Sequence, residues 1–134
     1  VRDVHSAIRT LLVADSGLTA LVNTRVFAGR DVPPPGTAPG DGACLTFRVR
    51  GGAGGYRGRD YEDALIVPSV QFKCYAASEI KAFEVYRALV DALHNGHDGT
   101  VLHAEEAGVG QPVEEPGTEW RFVLSFFEVM VRAS

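Results

Sequence analysis

The spacing of apolar and polar positions divides the chain into helical and extended stretches. Val4, Ile8, Leu11 and Leu12 recur at helical spacing with Arg2 and Arg9 off the stripe, which predicts a core-facing helix fading near Asp15 to Gly17. A further turn of helix through Leu18, Leu21 and Val22 is expected, stopped by Asn23, and Arg25 to Ala28 reads as a brief strand. Strict alternation then sets Leu45, Phe47 and Val49 against Thr46, Arg48 and Arg50, the mark of a sheet with one buried face. The pattern repeats with Val70, Phe72 and Cys74 against Gln71, Lys73 and Tyr75. Pro68 cannot donate to a ladder, so it is expected at an edge or an irregularity.

Ser78 is a natural helix N-cap, and Ala82, Val85, Tyr86, Leu89 and Leu93 make a stripe about 100° wide behind it. Asn95-Gly96 is expected to end that helix, since either residue tolerates a positive φ. A strand from about Thr100 to Glu105 follows, then a Gly/Pro turn region through Gly117. The closing stretch TEWRFVLSFFEVMVR places Trp120, Phe122, Leu124 and Phe126 on one face and Phe127, Val129 and Val131 on the other. Such a change of phase calls for a bulge near Phe126-Phe127 or for a strand buried on both faces, one covering layer then being another protein.

The run DVPPPGTAPGDG, Asp31 to Gly42, removes backbone donors and reads as a long surface loop within one domain, residues 1–134. The order predicts an α+β fold: an antiparallel sheet of about four to five strands with two helices packed on one face. With 46% apolar and 22% charged residues in 134, the balance is that of a globular domain that needs no disulfide or metal framework. A formal net charge of -4 argues against general nucleic-acid binding, and no apolar run is long enough to cross a membrane. The first residues are charged and amphipathic, unlike an export signal, so Cys44 and Cys74 are read as reduced packing residues.

Candidate chemistry is sparse. The stretch GGAGGYRGRDYED, Gly51 to Asp63, invites comparison with phosphate-binding loops, yet it fits G-x-G-x-x-G in no frame and lacks the Gly-Lys-Ser/Thr ending. No helical pattern follows to offer an N-terminus to a phosphate, and the flanking strands make the stretch a hairpin tip. His94, His97 and Asp98 are interrupted by Asn95-Gly96, which spoils a helical ligand pair and leaves solvated helix-end histidines. The serines lie outside any G-x-S-x-G turn, and neither cysteine has a catalytic setting. The adjacent pairs Glu105-Glu106 and Glu114-Glu115 point to opposite faces and cannot converge as an acid/base couple. The expectation is a protein without catalytic residues, cofactor or metal.

Taken in order, AIRTLLVADSGLTALVNTRVFAGR, the proline-rich loop, CLTFRVRGGAGGY, VQFKCYA, ASEIKAFEVYRALVDALH and WRFVLSFFEVMVR resemble the phage tail-completion family, which includes tail terminators and tail-to-head joining proteins. The resemblance covers nearly the full length and rests on pattern and turn placement. The chain departs from the family in a more arginine-rich loop and a longer proline run. The resemblance implies a small α+β subunit of the virion neck that closes a homo-oligomeric ring, commonly six-fold. Such a ring caps the tail tube protein and docks it to the head-tail connector, with no membrane and no specific nucleic-acid contact. A head-to-tail connector or stopper of the same neck is the alternative, and a small-ligand-binding α+β domain is the alternative of another class.

A ring needs two different complementary patches per subunit. Glu105, Glu106, Glu114 and Glu115 offer one sign, and Arg48, Arg50, Arg57 and Arg59 the other. Tyr56, Arg57, Arg59, Asp60 and Tyr61 equip the glycine-rich tip to hold a neighbour, tyrosine and arginine being enriched at interface hot spots.

Overall fold

A computed structural model describes residues 3–56, 65–107, 110–114 and 119–132, side chains of 52–56 and 95 excepted. The chain opens with helix α1, Val4–Val13, and helix α2, Ser16–Val22. Two aspartates start them. Asp3 accepts a hydrogen bond from the Ser6 N–H, and Asp15 accepts one from Leu18 at 2.9 Å, satisfying donors that a first turn leaves unpaired. Asn23 ends α2 with φ 56 and ψ -126, a positive φ that asparagine adopts more readily than most residues other than glycine.

Strand β1, Val26–Ala28, comes next, then the proline-rich loop, which contains one 3₁₀ turn at Pro39–Asp41 where the sequence predicts none. Strands β2, Cys44–Tyr56, and β3, Leu65–Ala76, form a long hairpin. Helix α3, Glu79–Asn95, is capped by the Ser78 hydroxyl, and β4 (Val101–Glu106), β5 (Gln111–Glu114) and β6 (Arg121–Arg132) complete the chain.

The architecture is α+β, with a larger and less uniform sheet than the sequence predicts. Among the described residues six strands form one sheet in the order β1-β2-β3-β6-β4, with β5 also paired to β6. The β1–β2 pair is parallel and the rest are antiparallel. The extra strand is β5, which occupies part of the expected turn region. Backbone pairing with Leu124 to Arg121 overrides its poor strand composition, QPVE. Among the described residues three α-helices, rather than two, cover one face, because the short turn after Asp15 grows into α2.

The glycine-rich stretch also differs from expectation. Gly51 to Tyr56 belong to β2, whose pairing with β3 extends to Tyr56 and Leu65. Arg57, Arg59, Asp60 and Tyr61 lie outside the described residues. Pro68 pairs with Gly52 at the break in register after Val49, where a missing donor costs least.

No bulge interrupts β6 against β3. The register is continuous from Ala76↔Arg121 to Leu65↔Arg132, so the double apolar pattern of β6 belongs to a strand with two apolar faces. One face joins the helices. Ile8, Leu12, Leu18 and Val22 close over Phe47, Val70, Phe72, Phe127 and Val129 to form the main core. Gly96 stops α3 for a reason other than the expected positive φ. Its φ is -90, and a Cβ there would lie 2.4 Å from the Ala92 carbonyl oxygen and 3.1 Å from Leu11.

Cys74 points into the helix-side core and Cys44 into the cluster on the opposite face. Two thiols on opposite faces of a sheet cannot reach disulfide geometry. Both are free, and burial pushes both thiols up, Cys44 from 9.0 to about 12.

Candidate assembly surface

The face of the sheet away from the helices carries Thr46, Arg48 and Arg50 from β2, Gln71, Lys73 and Tyr75 from β3, and Phe122, Leu124, Phe126 and Glu128 from β6. This follows from their alternation with the core residues. At one end it holds a second apolar cluster. Tyr75 lies 4.9 Å from Phe122 and edge-on to Trp120 at 5.7 Å, with Cys44, Phe27 and Leu124 alongside. Trp120 and Phe122 are nearly as buried as the main core.

The proline-rich loop is tied to this end. The Tyr75 hydroxyl donates to the Asp31 carbonyl at 3.1 Å, and the Asp31 carboxylate meets Arg48 at 2.5 Å and Arg50 at 3.2 Å. Arg50 Nε donates further to Gln71 Oε1 at 3.1 Å. Two arginines two positions apart on a strand share a face, and one carboxylate between them holds both. The expected basic patch is thus partly engaged within the subunit, although both arginines remain more than two-fifths exposed.

The acidic residues separate. Glu105 stands on the open face, exposed, 3.6 Å from His103. Glu106 points to the helix side and accepts a hydrogen bond from the Tyr86 hydroxyl of α3. Glu114 pairs with Arg121 at 3.1 Å. Glu115 lies outside the described residues, as does the side chain of Tyr56. No single acidic rim gathers the three described carboxylates.

Sequence reasoning missed the Tyr86 brace. Its hydroxyl also accepts the Gly110 N–H at 3.0 Å, and a Cβ at Gly110 would lie 2.6 Å from the Tyr86 ring. Tyr86 therefore closes the break between β4 and β5, a long-range contact that spacing along α3 cannot reveal. Burial, then the bond to Glu106, pushes its phenol up from 10.0 to about 12.

Cys44, Cys74 and Tyr86 thus all hold their protons more tightly folded than unfolded. The stability they contribute is fully present below pH 9 and is lost as pH rises through about 12. The urea midpoint is expected to hold steady from pH 7 to 8.5 and fall above 9. Each thiol adds a limiting slope of about 1.4 kcal/mol per pH unit. A midpoint that stays flat to pH 11 would contradict the burial of these groups.

The described residues include no cluster of three or more His, Cys, Asp or Glu able to hold a metal. A depression of about 300 Å³ between α1 and the turn before β4 is lined by Asp3, Ser6, Thr10, Asp98 and Thr100. Its carboxylates serve the local backbone: Asp3 caps α1, and Asp98 accepts from the Thr100 and Val101 N–H groups. What remains distinctive is an uncovered strip along β6, where Phe126 is 38% exposed beside the half-buried Leu124 and Met130.

No protein-family model matches this sequence, nor does any curated protein. Among solved structures, the fold is similar to a chain described as "Virion of native gene transfer agent (GTA) particle". The TM-score is 0.64 and the identity 20%, over 97% of this chain and 95% of that one.

Proposed function

We propose that this chain is a structural subunit of a phage-like virion, and within it the ring-forming tail terminator that caps the tail tube and joins it to the head connector. The observation that carries the reading is the end-to-end fold likeness to a chain of a gene transfer agent virion, with almost nothing of either chain left over. The resemblance to the tail-completion family supports the same placement. An apolar strip on an otherwise ordinary surface is also what an assembling subunit presents. The work is assembly: the ring stops tube growth and offers a second surface to the connector.

Negative-stain imaging of the purified protein tests this. Rings are expected, either alone or once tail tube protein is added. Replacing Arg57 and Arg59 by glutamate is expected to impair ring closure or docking while changing stability by less than about 0.5 kcal/mol. A monomer with no affinity for tube protein would defeat the proposal. A stopper of the same neck also forms rings and is separated by its copy number and position in the particle.

A further inference from the structure

Two side chains of α1 reach the β1 edge of the sheet. His5 and Arg9 stand four residues apart, hence on one face of the helix. The Arg25 carbonyl turns toward β2, where it accepts from Leu45, so the carbonyls of Thr24 and Val26 turn outward. Arg9, which can only donate, meets both of these, Val26 at 3.0 Å and Thr24 at 3.4 Å. Val49 needs the opposite chemistry. Leu45 and Phe47 direct their peptide groups to β1, but β1 ends at Ala28, opposite Phe47, so the next amide on that side lies beyond it. His5 Nε2 accepts the Val49 N–H at 3.3 Å. An imidazole nitrogen accepts only while it carries no proton, so the bond requires neutral His5 with its hydrogen on Nδ1.

We propose that His5 is a proton-sensitive latch, which as neutral imidazole ties α1 to the base of the β2–β3 arm and on protonation lets go. Val49 is the joint of that arm: it pairs with Val70, and regular pairing breaks before Gly52↔Pro68. Protonation sets one N–H against another there. The Phe47 ring, 5.9 Å away, packs against an imidazolium as readily as an imidazole, so the hydrogen bond alone opposes the charge. On α1, Arg9 also opposes it and Asp3 favours it. Hydrogen bonds from Ser6, and then the charge of His5, hold Asp3 below the usual carboxylate range. Strand β1 brings no ionisable side chain, and Arg48 and Arg50 of β2 stand on the opposite face with Asp31. On β4, Glu105 and its neighbour His103 stand at the open face, and Tyr86 holds Glu106. Asp98 lies with Ser6 and Thr10 on another side of α1. Histidine changes charge between about pH 5 and 8, so the latch opens on mild acidification, whether or not the chain forms a ring.

Nitrogen-15 NMR and amide exchange on the full chain test this. At about pH 8 the imidazole is expected in the Nδ1–H form, with the Val49 amide protected. At about pH 5 that protection, corrected for the intrinsic rate, is expected to fall about tenfold, the worth of one neutral hydrogen bond, while Phe72 stays protected. His5→Gln supplies an acceptor that does not titrate and is expected to abolish the pH dependence at Val49. His5→Leu is expected to leave Val49 unprotected at both pH values; should it fail to fold, the wild type and His5→Gln still decide the matter. An Nε2–H imidazole at pH 8, or one still neutral at pH 5, overturns the proposal. So does equal Val49 protection in the neutral and charged states, or an acid-dependent loss that persists in His5→Gln.

Discussion

Phe72→Ala is expected to lower the stability of the fold by about 3–5 kcal/mol, enough to move the thermal midpoint down by roughly 10–20 °C. Phe72 is fully buried at the centre of β3, the strand between β2 and β6. Its ring stacks on Phe47 at 5.6 Å and meets Phe127 edge-on at 5.5 Å, so one side chain ties three strands together beneath the helices. Truncation removes both aromatic contacts and leaves a cavity that neighbours anchored on separate strands cannot collapse to fill. Urea melts are the direct measurement, with an unchanged slope showing that only stability moved. Phe126→Ala is the control. It lies one residue across the register, opposite Gln71, but faces outward, and is expected to cost under about 1 kcal/mol. If the two substitutions cost the same, the assignment of inner and outer faces is wrong.

That contrast shows which parts of the molecule were legible in the sequence. Alternation placed Leu45 with Phe47, and Val70 and Cys74 with Phe72, each set on one face of its strand, because a strand repeats every two residues, and the structure retains those assignments. Ser78 and Asn23 were readable because cap chemistry is local. The double apolar pattern of β6 was readable only as two alternatives, since a bulge and a two-faced strand leave the same sequence; the unbroken β3–β6 register selects the second. Strand β5 was hidden because Gln111 to Glu114 carry no strand signal, and their conformation comes from β6 alongside. Asp31 was hidden differently. Read in its own segment it is one more polar loop residue, and its role arises from Arg48 and Arg50, seventeen and nineteen residues away. The two same-face arginines were the one available sign of a place where a carboxylate could bind. The charged side chains proposed for assembly followed composition, which cannot foresee that Glu106 and Glu114 are occupied by Tyr86 and Arg121.

Tyr75→Ala is expected to cost about 3–5 kcal/mol and, unlike Phe72→Ala, to free the proline-rich loop from the sheet. Tyr75 is fully buried on the face opposite the helices, where it packs on Phe122 and Trp120 and donates to the Asp31 carbonyl. The ring supplies the apolar contact and the hydroxyl the tie to the loop, and the two contributions separate experimentally. Tyr75→Phe keeps the ring and removes one neutral hydrogen bond, a loss of about 0.5–1.5 kcal/mol. Limited proteolysis between Arg30 and Gly42 reports the loop directly. Cleavage is expected to accelerate modestly in Tyr75→Phe, where Arg48 and Arg50 still hold the Asp31 side chain. It is expected to accelerate strongly in Tyr75→Ala, where the surface beneath the loop is lost. Loss of the Tyr75 ring also uncovers Trp120 and Phe122 next to the strip at Phe126, so Tyr75→Ala is expected to aggregate under conditions that leave the wild type dispersed. Equal cleavage of all three proteins would mean that the loop is held by its own 3₁₀ turn and prolines, and that Tyr75 acts through packing alone.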